Sequence, residues 1–199
     1  MGDSVIAAVL LACAANIAPT TLEAVIQVES RGDPLLVFVN GLGAAQPRHA
    51  ADAKEATALA RGYIAQGYSV DLGLMQVNSR NLAALGYTVE QLLDDPCTNI
   101  RAGAAVLSAD YAAAVRTHGD GQPALQAALS AYNTGDFHRG YANGYVARYY
   151  GPGGIPALTS KVPSVAAAAV KHEAPQPWPN PYTADTTVYV REAMDIQIR

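Results

Sequence analysis

The stretch Thr21–Pro34, TLEAVIQVESRGDP, follows the hydrophobic pattern of a helix but places a glutamate where an apolar residue belongs. Leu22, Val25 and Ile26 occupy one face of such a helix. The next position on that face is Glu29, at i+7 from Leu22. Burying an ionised carboxylate is costly unless the group is paired or stays protonated. The pattern indicates that Glu29 is held near the core for a chemical purpose, with a capping role or a pairing with an arginine as the alternative.

Signals at the ends of this helix place Glu29 in its last turn. Thr20 and Glu23 form a T-x-x-E capping box that predicts the start, while Gly32 and Pro34 predict the stop. The remaining pattern predicts helices over residues 52–66, 96–118, 123–132 and 143–150, and a strand over 35–39 before a turn at 40–41 that is typical of a small hairpin.

The composition indicates one sizeable domain with a smaller appendage. Of the 199 residues 50% are hydrophobic and 15% are charged, which suffices for a core and excludes wholesale disorder. The net charge of −4 argues against nucleic acid as a partner. The four histidines and two cysteines lack metal-ligand spacing, so we predict neither a metal site nor a cofactor.

The first apolar stretch, SVIAAVLLACAANIA over residues 4–18, is shorter than the ~20 residues of a membrane span. We expect a buried first helix opened by Asp3 or Ser4, and no integral membrane span. The alternative is a leader cleaved after Ala14, which would leave Cys97 as the only cysteine. The spacing of Cys13 and Cys97 is compatible with two buried thiols or with one disulfide.

The composition changes after Tyr150, where seven of the twelve prolines fall between Pro152 and Pro181. We therefore predict a domain over residues 1–150 and a Pro-rich extended tail over 151–199. Two interpretations of the tail remain open. It is either a disordered terminus or a partner-binding segment, the latter suggested by Trp178 among the prolines and by the apolar segment VYVREAMDIQIR at residues 188–199.

A second helix repeats the feature seen at Glu29. Leu125, Ala128 and Leu129 form an inner face whose i+7 position is Tyr132, followed by Asn133. If the two helix ends meet, Glu29 lies beside a phenol and an amide in a half-buried cleft, where the pKa of a carboxyl rises and the group becomes a general acid. The turn Gly73–Gln76 adds a flexible glycine, an apolar wall and a neutral amide suited to sugar hydroxyls and acetamides.

In the order ES, GLMQ, AYN and GYV, these motifs resemble those of lytic transglycosylases of the soluble lytic murein type. They lie here at Glu29–Ser30, Gly73–Gln76, Ala131–Asn133 and Gly144–Val146. The wider stretches VESRGDP, VDLGLMQVNSRNL, DDPCTNIRAGAAVL and ALSAYNTGD are most similar to the subfamily associated with type IV secretion and conjugation systems. The resemblance covers roughly residues 12–150, and four motifs in fixed order make it specific.

The resemblance implies an α+β, mainly α-helical fold of the lysozyme-like kind with a small β-hairpin element. It also implies that Glu29 cleaves the β-1,4 bond between N-acetylmuramic acid and N-acetylglucosamine of peptidoglycan glycan strands, giving a 1,6-anhydro product in the periplasm or cell envelope. Members of the subfamily carry cysteines near Cys13 and Cys97, which favours the disulfide. The substrate-binding residues carried over from the motifs are Met75 as a cleft wall, Gln76, Tyr132 and Asn133 as orienting groups, and Tyr145 near the glutamate.

Three functional hypotheses follow. Most glycosidases use two carboxylates, but Glu29 is the only acidic residue in the four motif cores, as suits a transglycosylase that opens peptidoglycan for a secretion or conjugation apparatus. Asp71 is expected to cap the Gly73–Gln76 turn; as a second carboxylate it would instead favour a lysozyme-type muramidase. The third hypothesis is a non-catalytic scaffold that grips glycan while the tail recruits a component of the type IV secretion system.

Overall fold

The computed structural model describes residues 2–47 and 49–150, so the predicted tail over 151–199 lies outside the described residues. The described chain is mainly helical with one small sheet. Its elements are α1 (Gly2–Cys13), α2 (Pro19–Glu29), β1 (Val37–Val39), α3 (Ala53–Ala65), β2 (Val70–Leu72), β3 (Val77–Asn78), a 3₁₀ helix (Ser79–Asn81), α4 (Leu82–Leu85), α5 (Val89–Asp94), α6 (Pro96–His118), α7 (Gln122–Thr134), α8 (Arg139–Ala142) and α9 (Ala147–Tyr150). The α+β, mainly helical fold expected from the resemblance is confirmed.

The long helix α6 is the centre of the core, packing against α1, α5, α7 and β3. Asp95 caps its start by accepting hydrogen bonds from the backbone N–H groups of Cys97 and Thr98, and Pro96 occupies the first turn. Gly103 allows α6 to approach the GLMQ turn closely, because a Cβ there would lie 2.4 Å from the Cβ of Met75. The turn that bears two of the predicted site residues is thus fixed directly on the core helix.

The sheet has the strand order β1-β2-β3 and is antiparallel throughout. Strands β2 and β3 form a hairpin through the turn Gly73–Gln76, whereas α3 lies in the connection between β1 and β2. The β element is therefore present, but the predicted hairpin at Asn40–Gly41 is wrong. The backbone N–H of Asn40 instead donates to the carbonyl of Ser69, which continues the pairing of β1 with β2.

Helix α1 is joined to the start of α6 by a disulfide between Cys13 and Cys97, whose Cα atoms lie 5.2 Å apart. Of the alternatives that spacing left open, the structure thus contains the disulfide. Among the residues of this helix whose burial the structure describes, Leu10 and Cys13 are buried, whereas Ile6, Val9 and Leu11 are exposed. The expected burial is therefore only partial, and because the helix begins at Gly2, Asp3 and Ser4 lie inside it rather than at its N-cap.

The predicted capping box at the start of α2 is also wrong. The helix begins at Pro19, and its N-cap residue Ala18 makes no side-chain hydrogen bond. Proline is already suited to the first helical position, since its fixed φ matches the helix and it has no N–H to satisfy. The structure does form a capping box at the start of α5, between Thr88 and Gln91. Within the described residues, no helix is long and apolar enough to cross a bilayer.

Candidate active site

Glu29 is the last residue of α2, as its position before Gly32 and Pro34 predicts. The last bond of the helical pattern runs from the backbone N–H of Ser30 to the carbonyl of Ile26. The chain then reverses through Arg31 and Gly32, both at positive φ, with values of 56° and 83°. The side chain of Glu29 is half-buried and lies at the negative end of the helix dipole, which disfavours a bare negative charge there.

The phenol of Tyr145 donates a hydrogen bond of 2.5 Å to Oε1 of Glu29. Tyr145 lies just before α9 and is 2% exposed. Burial, and next the charge of Glu29, raise the pKa of Tyr145 well above its usual value, so the phenol keeps its proton. Its hydroxyl also lies 2.8 Å from that of Tyr149, a fully buried residue one helical turn further on. The structure thus places Tyr145 beside the glutamate, as the resemblance implies.

A narrow cavity opens beside Glu29 between the end of α2, the sheet, α6 and α7. Its lining consists of Glu29, Asp71, Gln76, Val77, Asn78, Asn81, Val106, Tyr132 and Asn133. Besides two carboxyl groups, its polar groups are four amides and one phenol, which can both donate to and accept from uncharged hydroxyl and acetamide groups. The two helix ends that sequence periodicity marked with polar residues therefore do meet at one site.

Gln76 lines this cavity and also braces the turn that carries it. Its amide nitrogen donates to the carbonyls of Gly73 and Leu36, at 2.9 and 3.2 Å. Its backbone has φ of 48°, in the left-handed region that residues other than glycine seldom adopt. Such strain is maintained only where the surroundings impose it, and functional sites are a common location.

Tyr132 joins α7 to the same turn. Its phenol donates a hydrogen bond of 2.6 Å to the carbonyl of Met75. The side chain of Met75 itself is fully buried, against Gly103 of α6, and does not line the cavity. Here the structure differs from the expected cleft wall, because the close approach of α6 draws this side chain into the core. Asn133 lines the cavity and accepts a hydrogen bond of 3.0 Å from the side-chain amide of Asn143.

Asp71 lies in β2, is 1% exposed and also lines the cavity. Its Oδ1 accepts a hydrogen bond of 2.7 Å from the amide of Asn78, and its Oδ2 accepts one of 3.2 Å from Asn40. These contacts tie Asp71 to Asn78 of β3 and to Asn40, which follows β1. The backbone N–H groups of Gly73, Met75 and Gln76 bond to other acceptors.

Asn99 of α6 is the principal residue that the sequence reasoning missed. It is 1% exposed, accepts a hydrogen bond of 2.8 Å from the backbone N–H of Met75 and donates one of 2.9 Å to the carbonyl of Leu72. Asn99 shares the inner face of α6 with Gly103 and Val106, so it is a polar residue on an apolar face. The signal that identified Glu29 could therefore have found it.

Two further site residues, Asn81 and Tyr149, were also missed. Asn81 lines the cavity, and its buried Oδ1 has no hydrogen-bond partner in the described part of the chain, so it can accept a bond from a ligand. Tyr149 follows Tyr145 at i+4, a spacing that places both phenols on one side of a helical turn. The available signal was a tyrosine four residues after the tyrosine of the GYV motif.

Comparison with known proteins agrees with this geometry. Residues 10–149 match the family model described as the transglycosylase SLT domain. The chain is 46% identical over 134 residues to protein VirB1 of Agrobacterium fabrum, covering 67% of this chain and 53% of that protein. It is 38% identical over 130 residues to the type IV secretion system protein VirB1 of Brucella abortus, covering 65% of this chain and 53% of that protein.

A shorter match, 49% identical over 43 residues, covers 20% of this chain and 27% of the invasion protein IagB of Salmonella typhimurium. No solved structure matches the chain. The chain spans about half the length of the VirB1 relatives it matches. Since the family model covers α2, the sheet, α6, α7 and the Glu29 site together, the chain belongs to the transglycosylase SLT domain family.

Proposed function

We propose that this protein is a peptidoglycan lytic transglycosylase, with Glu29 as its catalytic residue and residues 1–150 as its catalytic domain. The observation that carries the proposal is the half-buried carboxyl of Glu29, hydrogen-bonded to Tyr145 at the edge of a cavity lined by neutral polar groups. A carboxyl held partly out of water, beside groups that bind uncharged sugars, is suited to donate a proton to a glycosidic oxygen.

The proposed roles of the other groups follow from their positions. Gln76, Tyr132 and Asn133 line the cavity and would orient the acetamido sugars next to Glu29. Tyr145 would hold the carboxyl through its hydrogen bond. Met75 would act through its backbone carbonyl, which fixes the phenol of Tyr132, rather than through its buried side chain.

The reaction needs one carboxyl for both proton transfers. In the first step Glu29 gives its proton to the oxygen that links N-acetylmuramic acid to N-acetylglucosamine, and the bond from that oxygen to the muramic C1 breaks. The substrate's own acetamide supports the electron-deficient carbon. In the second step the Glu29 carboxylate takes the proton of the C6 hydroxyl, whose oxygen bonds to C1 and gives the 1,6-anhydro sugar. No water is consumed, and Glu29 ends protonated as it began.

Hydrolysis is the second candidate, and it is favoured by one observation: Asp71 contributes a second carboxylate to the cavity that Glu29 lines. A second carboxylate is what most glycosidases use to activate water or to form a covalent intermediate. Both Asp71 oxygens already accept hydrogen bonds from Asn40 and Asn78, which supports a structural role and hence transglycosylation. Mass spectrometry of digested peptidoglycan separates the two, since anhydro ends are one water lighter.

Replacement of Glu29 by glutamine tests the catalytic proposal. Glutamine keeps the shape but has no proton to give, so we expect release of soluble fragments from purified peptidoglycan to fall by roughly 100-fold or more. Glu23→Gln is the matched control, because Glu23 is exposed on the same helix. Wild-type release by Glu29→Gln would refute catalysis by this residue. Binding of peptidoglycan without cleavage by the unaltered protein would favour the scaffold.

We further propose that the protein works in the periplasm or cell envelope, opening peptidoglycan for a type IV secretion or conjugation apparatus. Support comes from the relative in Brucella abortus that carries the name of a type IV secretion system protein. Recruitment of an apparatus component would fall to the Pro-rich tail over residues 151–199. Deletion of residues 152–199 should then abolish co-purification with apparatus components while leaving peptidoglycan cleavage by the purified protein unchanged. Unchanged co-purification would exclude a role of the tail in recruitment.

A further inference from the structure

While Glu29 is a carboxylate, which can only accept hydrogen bonds, the direction of the bonds between Glu29, Tyr145 and Tyr149 is fixed by counting protons. Tyr145 has one hydroxyl proton, and it is used in the bond to the Glu29 carboxyl. The hydroxyls of Tyr145 and Tyr149 lie 2.8 Å apart. In that contact Tyr145 can only accept, so Tyr149 is the donor. The bonds therefore run in one direction, from Tyr149 to Tyr145 to Glu29.

We propose that Tyr149 is a positioning residue for Glu29, because its donation to Tyr145 strengthens the hydrogen bond that Tyr145 gives to the carboxylate. This inference rests on the proposed function and names a part of the site beyond the four sequence motifs. Tyr149 does not line the cavity, and its contact with the Tyr145 hydroxyl is the route by which it acts on Glu29.

The environment makes such a coupling effective. Tyr149 is fully buried and Tyr145 is 2% exposed, so water does not compete for their hydroxyls. Hydrogen bonds in a chain polarise one another, and this effect is larger where the surroundings are apolar. The burial that raises the pKa of Tyr145 also keeps it a donor while Glu29 is charged. Tyr145 thus supports the carboxylate without giving up its own proton.

The arrangement favours the state in which Glu29 has lost its proton. A hydrogen bond to a charged acceptor is stronger than one to a neutral acceptor. The Tyr149 to Tyr145 to Glu29 chain therefore strengthens while Glu29 transfers its proton to the leaving oxygen, and it weakens when the proton returns. Interactions that grow as charge develops are the ones that accelerate a reaction.

Other groups near Glu29 also influence its ionisation. Asp71 of β2 shares the cavity and would oppose a second negative charge, and Tyr132 of α7 lines the same space. The guanidinium of Arg148 lies 5.7 Å from the centre of the Tyr145 ring. Changing only the hydroxyl of Tyr149 leaves these groups in place, so a change in ionisation can be assigned to the tyrosine pair.

The test is the replacement Tyr149→Phe, with Tyr150→Phe as the matched control. Tyr150 lies on the same helix, but its hydroxyl donates to Gln122 instead. Activity requires a protonated Glu29, so the basic limb of the pH–rate profile reports its ionisation. Loss of the Tyr149 donor makes the carboxylate less stable, and we expect this limb to move to higher pH by roughly half to one unit. The control should leave the limb unchanged.

A double variant separates the proposed relay from a merely structural role. Because Tyr149 acts through Tyr145, Tyr145→Phe with Tyr149→Phe should show the same limb as Tyr145→Phe alone. Independent, additive shifts would overturn the inference, and so would an unchanged limb in folded Tyr149→Phe. If Tyr149→Phe does not fold, 3-fluorotyrosine at position 149 serves instead. Its more acidic hydroxyl donates more strongly, so the limb should move to lower pH; no movement or a move upward would contradict the proposal.

Titration of the Glu29 carboxyl by ¹³C NMR, assigned by its absence in Glu29→Gln, gives a readout that does not depend on activity. The midpoint should move in Tyr149→Phe in the direction of the kinetic limb, and an unmoved midpoint would refute the relay. Failure of the proposed function looks different, since full peptidoglycan cleavage by Glu29→Gln would show that another group is the acid.

Discussion

Replacing Asp110 of α6 by asparagine should stabilise the protein at neutral pH. Part of the residue is exposed, but Oδ2 is buried and has no hydrogen-bond partner in the described part of the chain. Burial raises the pKa of Asp110 from 3.8 to about 8. Between these values the unfolded carboxyl is ionised while the folded one still holds its proton, so the free energy of unfolding falls as pH rises. At pH 7 this amounts to about 4 kcal/mol as an upper bound, since one pKa unit equals about 1.36 kcal/mol.

The assay is urea unfolding at pH 4 and pH 8 with the disulfide intact. It is followed by far-UV circular dichroism, because the single tryptophan, Trp178, lies outside the described residues. Asparagine resembles the protonated acid, so Asp110→Asn and the unaltered protein should differ little at pH 4 and most at pH 8. Asp120→Asn removes an exposed acid just after α6 and controls for net charge. A difference independent of pH, or a less stable Asp110→Asn at pH 8, would refute the reasoning.

Two further predictions concern features that stabilise the core, namely the disulfide and the close contact of α6 with Met75. The disulfide between Cys13 and Cys97 spans 84 residues and so restricts the unfolded chain. Replacing both cysteines by serine should lower the free energy of unfolding, measured by urea titration, by up to about 4.5 kcal/mol. A loss below about 1 kcal/mol would contradict stabilisation through the entropy of the unfolded chain. Gly103→Ala should lower the free energy of unfolding by about 1–3 kcal/mol and reduce peptidoglycan cleavage, because the new Cβ would lie 2.4 Å from Met75. The control Gly62→Ala, where the new Cβ on α3 meets open space, should leave the stability unchanged or raise it. Equal stabilities for the two alanine variants would show that the turn Gly73–Gln76 moves away from α6 without an energetic cost, which would contradict this reasoning.

Local signals predicted the elements whose ends they mark. Helix α6 has the predicted bounds, Pro96–His118, because a proline in the first turn acts on the helix start within a few residues. The same reasoning failed at Thr20 and Glu23, where a capping box is correct in sequence but lies inside a helix that Pro19 had already started. It also failed at residues 40–41, because strand pairing depends on partners that a local turn signal does not contain.

The candidate site likewise contains features that the sequence predicted and features that only the fold determined. Periodicity alone placed Glu29 and Tyr132 at the ends of two buried helix faces, since a side chain's direction follows directly from its helical position. The contact of Glu29 with Tyr145, 116 residues away, and the position of Asn99 against the turn required the fold. The resemblance did imply that Tyr145 lies near the glutamate. It did not imply a hydrogen bond between the two side chains, which of them donates, or any role for Tyr149.

The sequence by itself determined that Glu29 and Tyr132 lie on inward helix faces and where α2 and α6 stop, because these properties depend on neighbours within one or two turns. Only the tertiary structure decided that Met75 points into the core, that Asp71 is held between strands, and that two phenols are aligned behind Glu29. These outcomes depend on how closely α6 approaches the hairpin and where α9 returns to α2. Such distances are set by packing over the whole chain, and no short pattern of residues records them.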